Sequence, residues 1–377
     1  MLGRSTSQTG AVTAVQRLWP QEIKALTRAT ELAARGAGSV LPNPVVGCVV
    51  LAAGGWVVGE GYHERAGGPH AEVVALAAAG DWAAGGTAVV SLEPCNHTGR
   101  TGPCTEALLA AGIARVVVAV RDPWAPAKGG IERLLAAGVE VVDVPALSDP
   151  RAVAAAGAAE DINRIWLTAT RRQRPFVTWK VGMTIDGRVA AADGTSRWIT
   201  SPESRADVHA LRARVDTMMV GVGTVLADDP QLTVRDANGL PTGPQPLRVV
   251  LDSHGRTPRG ARLLDHDADT WLATVAETGA GPDGRVDPQV VLRRLFERGR
   301  RHVLLEGGPT LAASLLDAGL VDEAIVYIAP TLLGTGRSAL AGGLVGTLGD
   351  AHPARLREVT QLGPDVRLRY AVLSRSD

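Results

Sequence analysis

At 377 residues the chain exceeds one ordinary core and predicts two domains of about 100–200 residues. Hydrophobic residues make up 45% and charged residues 21%, a globular composition, and 39 Lys+Arg balance 39 Asp+Glu, which excludes a long-range pull towards nucleic acid or an anionic membrane. Eight tryptophans, three tyrosines and two phenylalanines are few for a protein that stacks bases along a strand, and no apolar run approaches the roughly 20 residues that span a bilayer.

The N-terminus, MLGRSTSQTGAVTAVQRLWPQE, lacks the compact apolar core of a secretory signal. Residues 1–18 are expected to be a disordered extension and the protein cytoplasmic. A helix is predicted over 20–36, with Pro20 near its start and Gly36 near its end. Val45–Ala52 is a continuous apolar run of strand length. Gly54-Gly55 then gives a hairpin signal before Trp56–Gly59. A helix near Pro69, a strand over Thr87–Leu92, a helix near Pro103 and a strand from Arg115 to Val120 follow. Residues 131–138 and 139–144 read as helix and strand, and 149–166 as one more helix. Together they make an α/β domain over residues 19–170.

Arg171-Arg172-Gln173-Arg174-Pro175 is short, basic and closed by proline, and marks the boundary before a second domain over 175–377. Its strands are predicted at Phe176–Val181, Thr217–Val222, Leu247–Asp252, Thr270–Thr274, His302–Glu306, Glu323–Ala329 and Val366–Leu373. Helices fit 201–214, 287–299 and 309–318, while the Gly/Pro-rich stretches 235–246 and 276–286 read as surface loops.

Three features of the first domain converge on metal chemistry. His70-Ala71-Glu72 opens a helix, Glu93-Pro94-Cys95 ends a strand, and Pro103-Cys104 opens the next helix. A catalytic zinc takes three nitrogen or sulfur ligands and keeps a fourth position for water. His70, Cys95 and Cys104 supply that set, and a helix N-terminus favours the Cys104 thiolate. Glu72 is the candidate proton shuttle between water, a ring nitrogen and departing ammonia. Residues two apart lie about 200° around a helix, so His70 must stand at or before the first turn for both side chains to meet one metal. Three cysteines in an intracellular setting argue against a disulfide framework, and Cys48, inside Val45–Leu51, reads as a buried hydrophobe. His97 is the nearby rival ligand, disfavoured by standing two residues after Cys95.

Nucleobase deaminases show H-x-E…P-C-x-x-C; here eight residues separate the cysteines. PCNHTGRTGPC, with PNPVVGCVV (42–50) and GYHERAGGPHAE (61–72), resembles the bifunctional riboflavin-biosynthesis deaminase/reductase family. KVGMTIDGR (180–188), SRWIT (196–200), GVGTVLADDPQLTVR (221–235) and LLEGGPTLAASLLDAGLVDE (304–323) extend the resemblance through the second half. It implies a cytidine-deaminase-like α/β sandwich followed by a dihydrofolate-reductase-like α/β domain. It also implies two consecutive reactions. A diamino-phosphoribosylamino-pyrimidinone loses an amine as ammonia, and NADPH then reduces its ribosyl group to ribityl. By the same resemblance Asn43 and His63 contact the pyrimidine, and His97 and Arg100 face the ribose phosphate. Asn96 and Thr98 depart from the family's Ser and His in that loop, which bears on phosphate contacts and not on the metal.

In the second half Gly221-Val222-Gly223-Thr224-Val225-Leu226 lacks the third glycine of a Rossmann fingerprint. Gly307-Gly308-Pro309-Thr310 instead joins a strand to a helix, where backbone N–H groups can approach a phosphate. The resemblance assigns NADPH contacts to Gly182, Trp198, Thr224, Asp228, Ser253, Gly308, Pro309, Thr310, Leu311, Ala312, Ala313 and Ser314. It assigns substrate contacts to Ser196, Arg212, Leu232, Arg235 and Glu306, with Lys180 and Asp186 beside the cleft. Gly182 and Thr184 replace the family's Ala and Ser. Self-association is expected, with a small-molecule substrate and neither nucleic acid nor membrane as partner. The alternatives are a deaminase of bases within nucleic acid, a scaffold on a dead deaminase fold, and an enzyme with one live domain.

Overall fold

The computed structural model describes residues 17–98, 102–236, 239–343 and 345–373. It divides into two compact units: the chain up to Ala37 with Val45–Asn163, and Gly38–Pro44 with Arg164–Asp377.

The first unit is built on a five-stranded sheet, ordered β2-β1-β3-β4-β5. Its elements are α1 (Pro20–Ala34), β1 (Gly47–Leu51), β2 (Val57–Tyr62), α2 (Ala71–Ala79), β3 (Thr87–Val90), α3 (Cys104–Ala110), β4 (Arg115–Val118), α4 (Gly130–Ala136), β5 (Glu140–Asp143) and α5 (Pro150–Ile162). β1 pairs antiparallel with β2 and β3, and β3, β4 and β5 run parallel. β1 is buried throughout, which explains its unbroken apolar sequence. Helix α2 seats directly on β2: a Cβ on Gly59 would meet the Ala75 carbonyl oxygen at 2.1 Å, and one on Gly61 the Ala71 oxygen at 2.5 Å. Only glycine permits that approach, and it fixes the helix whose first turn carries His70 and Glu72.

Arg17 and Leu18, assigned to the extension on sequence grounds, belong to the fold. Leu18 is buried and the Arg17 carbonyl accepts from Arg115 at 2.8 Å. The rest of that stretch lies outside the described residues. The single helix expected over 149–166 is two. Asn163 interrupts it because its amide is committed to β1: Oδ1 accepts from Val45 N (3.0 Å) and Nδ2 donates to Val45 O (2.7 Å).

The second unit begins at α6 (Arg164–Arg172), which groups with it; the basic Arg171–Pro175 segment ends this helix instead of dividing the units. β6 (Phe176–Thr184), β7 (Arg188–Ala191), α7 (Pro202–Arg212), β8 (Thr217–Gly221), α8 (Val222–Asp228), β9 (Leu247–Leu251) and β10 (Thr270–Ala273) follow. Then come α9 (Val275–Thr278), α10 (Pro288–Glu297), β11 (His302–Leu305), α11 (Pro309–Asp317), β12 (Glu323–Ala329), β13 (Gly336–Ser338), β14 (Ala354–Leu362) and β15 (Asp365–Val372). The eight-stranded sheet has the order β10-β9-β8-β11-β6-β12-β15-β14. It is parallel from β10 to β12 and antiparallel beyond. One core joins Val177, Met219, Val249, Leu292, Leu305 and Leu315; another joins Met218, Val220, Val250, Leu263 and Leu304. β7, β13 and the largely exposed β14 were not foreseen, because none carries an apolar run long enough to announce itself.

Candidate active sites

In the first unit His70 is the N-cap of α2, with extended backbone (φ −75°, ψ 160°). Its ring thus turns away from the helix while Glu72, in the first turn, points to the same place. Cys104 is the first residue of α3. Cys95 follows β3 in the loop that leads there. His70 Nδ1 lies 3.1 Å from Cys104 Sγ and 3.5 Å from Cys95 Sγ, and the three ligand atoms are all within 4.8 Å of one another.

The electrostatics fit a cation among them. The Cys95 thiol is pulled down to about 4 by hydrogen bonds from the Cys104 thiol and His70. The Cys104 thiol is pushed far up by that neighbouring sulfur and by burial. Two buried sulfurs at this separation ionise together only with a positive charge between them. One imidazole and two thiolates are the donor set of a tetrahedral zinc with an open fourth position. Glu72 is buried, and burial raises its carboxyl above the ordinary value.

His63, expected at the pyrimidine, is buried. It stands edge-on to the His70 ring at 5.4 Å and bonds through Nδ1 to the Pro69 carbonyl at 2.9 Å. A carbonyl only accepts, so that nitrogen carries the proton. His97 lies edge-on to Trp124 at 5.4 Å, with its Nδ1 buried and without a hydrogen-bond partner among the described residues. Asn43 closes a turn by donating its N–H to Val40 O, in the segment grouped with the second unit. Arg100 lies outside the described residues.

Two acids were missed from the sequence. Glu93 Oε1 accepts from the N–H groups of Gly129, Gly130 and Ile131 at 2.9–3.2 Å, while Oε2 accepts from Asp122 N at 3.1 Å. Asp122 accepts from Trp124 N, and burial pushes its carboxyl up to about 7. Glu93 reads as an ordinary flanking residue of Pro94-Cys95, and its partners lie some 36 positions downstream, beyond any local pattern.

The second unit holds a cleft of about 1830 Å³ along the C-terminal ends of β6, β8, β9 and β11. At its centre Glu306 accepts from Arg212 in two bonds (2.7 and 2.9 Å) and faces Lys180 Nζ at 3.0 Å. Burial alone would raise the Glu306 carboxyl; Arg212 and Lys180 outweigh it and hold the group well below the usual range. Gly182, Ser196, Trp198, Thr224, Asp228, Leu232, Arg235, Ser253, Gly308, Pro309, Thr310, Leu311 and Ser314 also line this cleft. Leu232 is buried at φ 55°, a left-handed conformation that a leucine holds only under tertiary constraint. No side chain caps α11, so the N–H groups of its first turn are available to the cleft.

Three expected residues lie outside the lining. Ala312 and Ala313 are on the buried face of α11, as every helix must turn one side to the core. Asp186 instead ties the turn after β6 to the backbone of Leu333 and Gly334, accepting also from Thr184 Oγ1 at 2.5 Å.

Residues 175–368 match the family profile described as the RibD C-terminal domain, and residues 20–120 the cytidine and deoxycytidylate deaminase zinc-binding region. The chain is 43% identical to the riboflavin biosynthesis protein RibD of Escherichia coli, over 91% of this chain and 97% of that protein. It is likewise 43% identical to RibD of Mycobacterium tuberculosis, over 92% of this chain and 98% of the relative. The solved structure of Acinetobacter baumannii RibD superposes with a TM-score of 0.82 at 38% identity, covering 94% of this chain and 99% of that one. A Thermotoga maritima structure described as a diaminohydroxyphosphoribosylaminopyrimidine deaminase/5-amino-6-(5-phosphoribosylamino)uracil reductase superposes at 0.79 with 31% identity, covering 94% and 99%. The expected cytidine-deaminase-like and dihydrofolate-reductase-like folds are therefore both present, with a zinc-binding deaminase domain and an NADPH-dependent reductase domain. The chain belongs to the RibD family of bifunctional deaminase/reductases of riboflavin biosynthesis.

Proposed function

We propose that the first unit deaminates 2,5-diamino-6-(5-phosphoribosylamino)pyrimidin-4-one and that the second reduces the ribosyl group of the product to ribityl. The observation that carries this reading is the convergence of His70, Cys95 and Cys104 beside the buried Glu72. When bound, zinc supplies Lewis acidity that brings a water's pKa towards neutrality. Glu72 takes a proton from water and returns protons to the ring nitrogen and the leaving amine. His63 and Asn43 contact the pyrimidine, and His97 and Arg100 take the ribose phosphate.

In the second unit the cofactor supplies a hydride when bound. The uncapped start of α11 and the Gly307-Gly308 turn receive its phosphates. Gly182, Trp198, Thr224, Asp228 and Ser253 line its path. Lys180, Arg212, Glu306, Ser196, Leu232 and Arg235 orient the sugar phosphate and exclude water from it. Asp186, Ala312 and Ala313 act behind these residues.

The substrate is a small molecule, with neither nucleic acid nor membrane as partner. Among the described residues no helix is long and apolar enough to cross a membrane. We place the protein in the cytoplasm as a homo-oligomer, testable by sedimentation. The deciding experiment incubates the protein with the phosphoribosylamino-pyrimidine and follows ammonia and NADPH oxidation together. Ammonia release that a chelator abolishes, followed by NADPH consumption, is the expected result. Turnover of single-stranded oligonucleotides in its place would overturn the reading.

A further inference from the structure

We propose that Arg248 is a positioning residue for the reduction: it pins the Gln231–Leu232 peptide and so fixes the wall of the cleft against which the sugar phosphate rests. The inference rests on the reading that Leu232 and Arg235 meet that substrate.

Arg248 interrupts the otherwise aliphatic strand β9, Leu-Arg-Val-Val-Leu, and is fully buried. A charge in that setting is costly unless an acid compensates it and its donors are bound. Both conditions are met. Nε donates to Thr270 Oγ1 at 2.9 Å. Nη1 donates to Asp265 Oδ1 at 2.7 Å and to Gln231 O at 3.2 Å. Nη2 donates to Asp265 O at 2.9 Å and to Ala268 O. Of these partners only Gln231 lines the cleft, and Arg248 itself does not. The bond to the Gln231 carbonyl is therefore the route by which this buried charge acts on the site.

That carbonyl belongs to the peptide plane that turns about the N–Cα bond of Leu232. Leu232 stands at φ 55°, where its Cβ crowds the backbone and from which a leucine escapes unless it is held. Its side chain is buried in the core with Met218, Val220 and Leu263. Releasing the carbonyl lets φ relax to the negative side and draws the side chain out of that packing.

The neighbours of Leu232 are fixed on both sides. Before it, Gln231 Nε2 donates to Asp265 Oδ2 at 3.2 Å, Gln231 Oε1 accepts from Arg262, and Asp229 Oδ1 accepts from Arg262 N at 2.8 Å. After it, Gln245 clasps Val234: Oε1 accepts from Val234 N at 2.8 Å and Nε2 donates to Val234 O at 3.0 Å. Arg235 Nε then donates to Thr233 Oγ1 at 2.9 Å. Leu232 is a left-handed link between two clamped points. A rotation there is passed to Thr233 and Arg235, which both line the cleft.

The test is steady-state reduction by the full chain, with the KM for the deaminated substrate and the KM for NADPH read separately. Arg248→Lys keeps the charge and loses the fork. It should raise the substrate KM about tenfold, the scale of one charged hydrogen bond, and leave the NADPH KM within about twofold. Val250→Ala removes packing from the same strand and core, and should lower the melting temperature with both KM values within about twofold. Glycine holds a positive φ without help, so in a Leu232→Gly background Arg248→Lys should add less than about twofold. Equal shifts in both KM values, no shift in a folded variant, or an undiminished effect in the glycine background overturns the proposal. If Arg248→Lys does not fold, Asp265→Asn carries the test at a partly exposed position. It weakens the ionic anchor of the guanidinium and must give the same split in smaller degree; an even or absent shift there overturns the proposal as well. Leu232→Gly alone separates the proposal from the reading beneath it. If it raises the substrate KM while Arg248→Lys is neutral, only the positioning role is wrong; if it leaves that KM unchanged, the substrate does not rest on this wall.

Discussion

The N–H of Gly130 points at Glu93 Oε1, 2.9 Å away, and the same oxygen takes the N–H groups on either side. A buried carboxylate thus fastens the Pro94-Cys95 loop to the start of α4. The approach is close: a Cβ on Gly130 would lie 2.0 Å from the Pro94 carbonyl oxygen. Glu93→Ala should destabilise the deaminase unit by about 2–4 kcal/mol, because several backbone donors are left unsatisfied. It should also lower zinc occupancy, since Cys95 is two residues away. Denaturant unfolding and metal analysis check both; full zinc loading in a destabilised variant would show that the loop holds Cys95 without Glu93.

Glu72→Gln should retain zinc, fold normally and lose ammonia release by at least about a hundredfold, the scale of general acid–base catalysis. NADPH oxidation on the already deaminated intermediate should continue. Loss of both activities in a zinc-loaded variant would contradict two separate sites.

Metal removal makes a second separation. Cys104→Ser, or a chelator on the wild type, should abolish deamination and leave reduction of the deaminated substrate intact. Metal content read beside the two rates checks this, and retained deamination in metal-free protein would contradict the zinc centre.

Glu306 is the sole carboxylate between Arg212 and Lys180 in the ion pairs of the described cleft. Glu306→Ala leaves two largely buried cations uncompensated and should cost about 3–5 kcal/mol. Its folded pKa is depressed, so its stabilisation is present above the ordinary carboxylate value of 4.5 and is lost as pH falls through the folded value. The gap between variant and wild type should therefore persist from neutral pH down to 4.5 and narrow only in stronger acid. Equilibrium unfolding of the two proteins across that range tests the prediction.

His302 gives the second pH dependence. It is buried, bonds Thr178 Oγ1 at 2.9 Å and stands edge-on to Phe176. Burial, then the nearby Arg164 charge, lowers its pKa from 6.5 to about 3. The folded state keeps it neutral while the unfolded chain protonates it, so its contribution is complete above 6.5 and is lost as pH falls from 6.5 towards 3. Stability of the reductase unit should drop by a few kcal/mol across that window. His302→Asn should flatten the slope; an unchanged slope would assign the acid sensitivity to other groups.

The sequence alone determined the alternating α/β pattern of both halves and singled out His70, Cys95 and Cys104 as a candidate zinc-binding set. Buried strands such as Val116–Val118 and Val249–Leu251 are unbroken apolar runs, and His70 and Cys104 stand at helix starts that local patterns mark, with Cys95 in the loop after β3. The tertiary structure decided the rest. It cut the predicted 149–166 helix at Asn163, whose amide pairs with Val45, and it carried α6 into the second unit. It also turned Ala312, Ala313 and Asp186 away from the cleft, and brought Glu93 to α4 and the Val286 N–H to Ser253 Oγ. The physical reason is range. Hydrophobic periodicity and helix-end chemistry act over a few residues, whereas a buried carboxylate or side-chain amide takes its meaning from groups that only the folded chain brings within hydrogen-bonding distance.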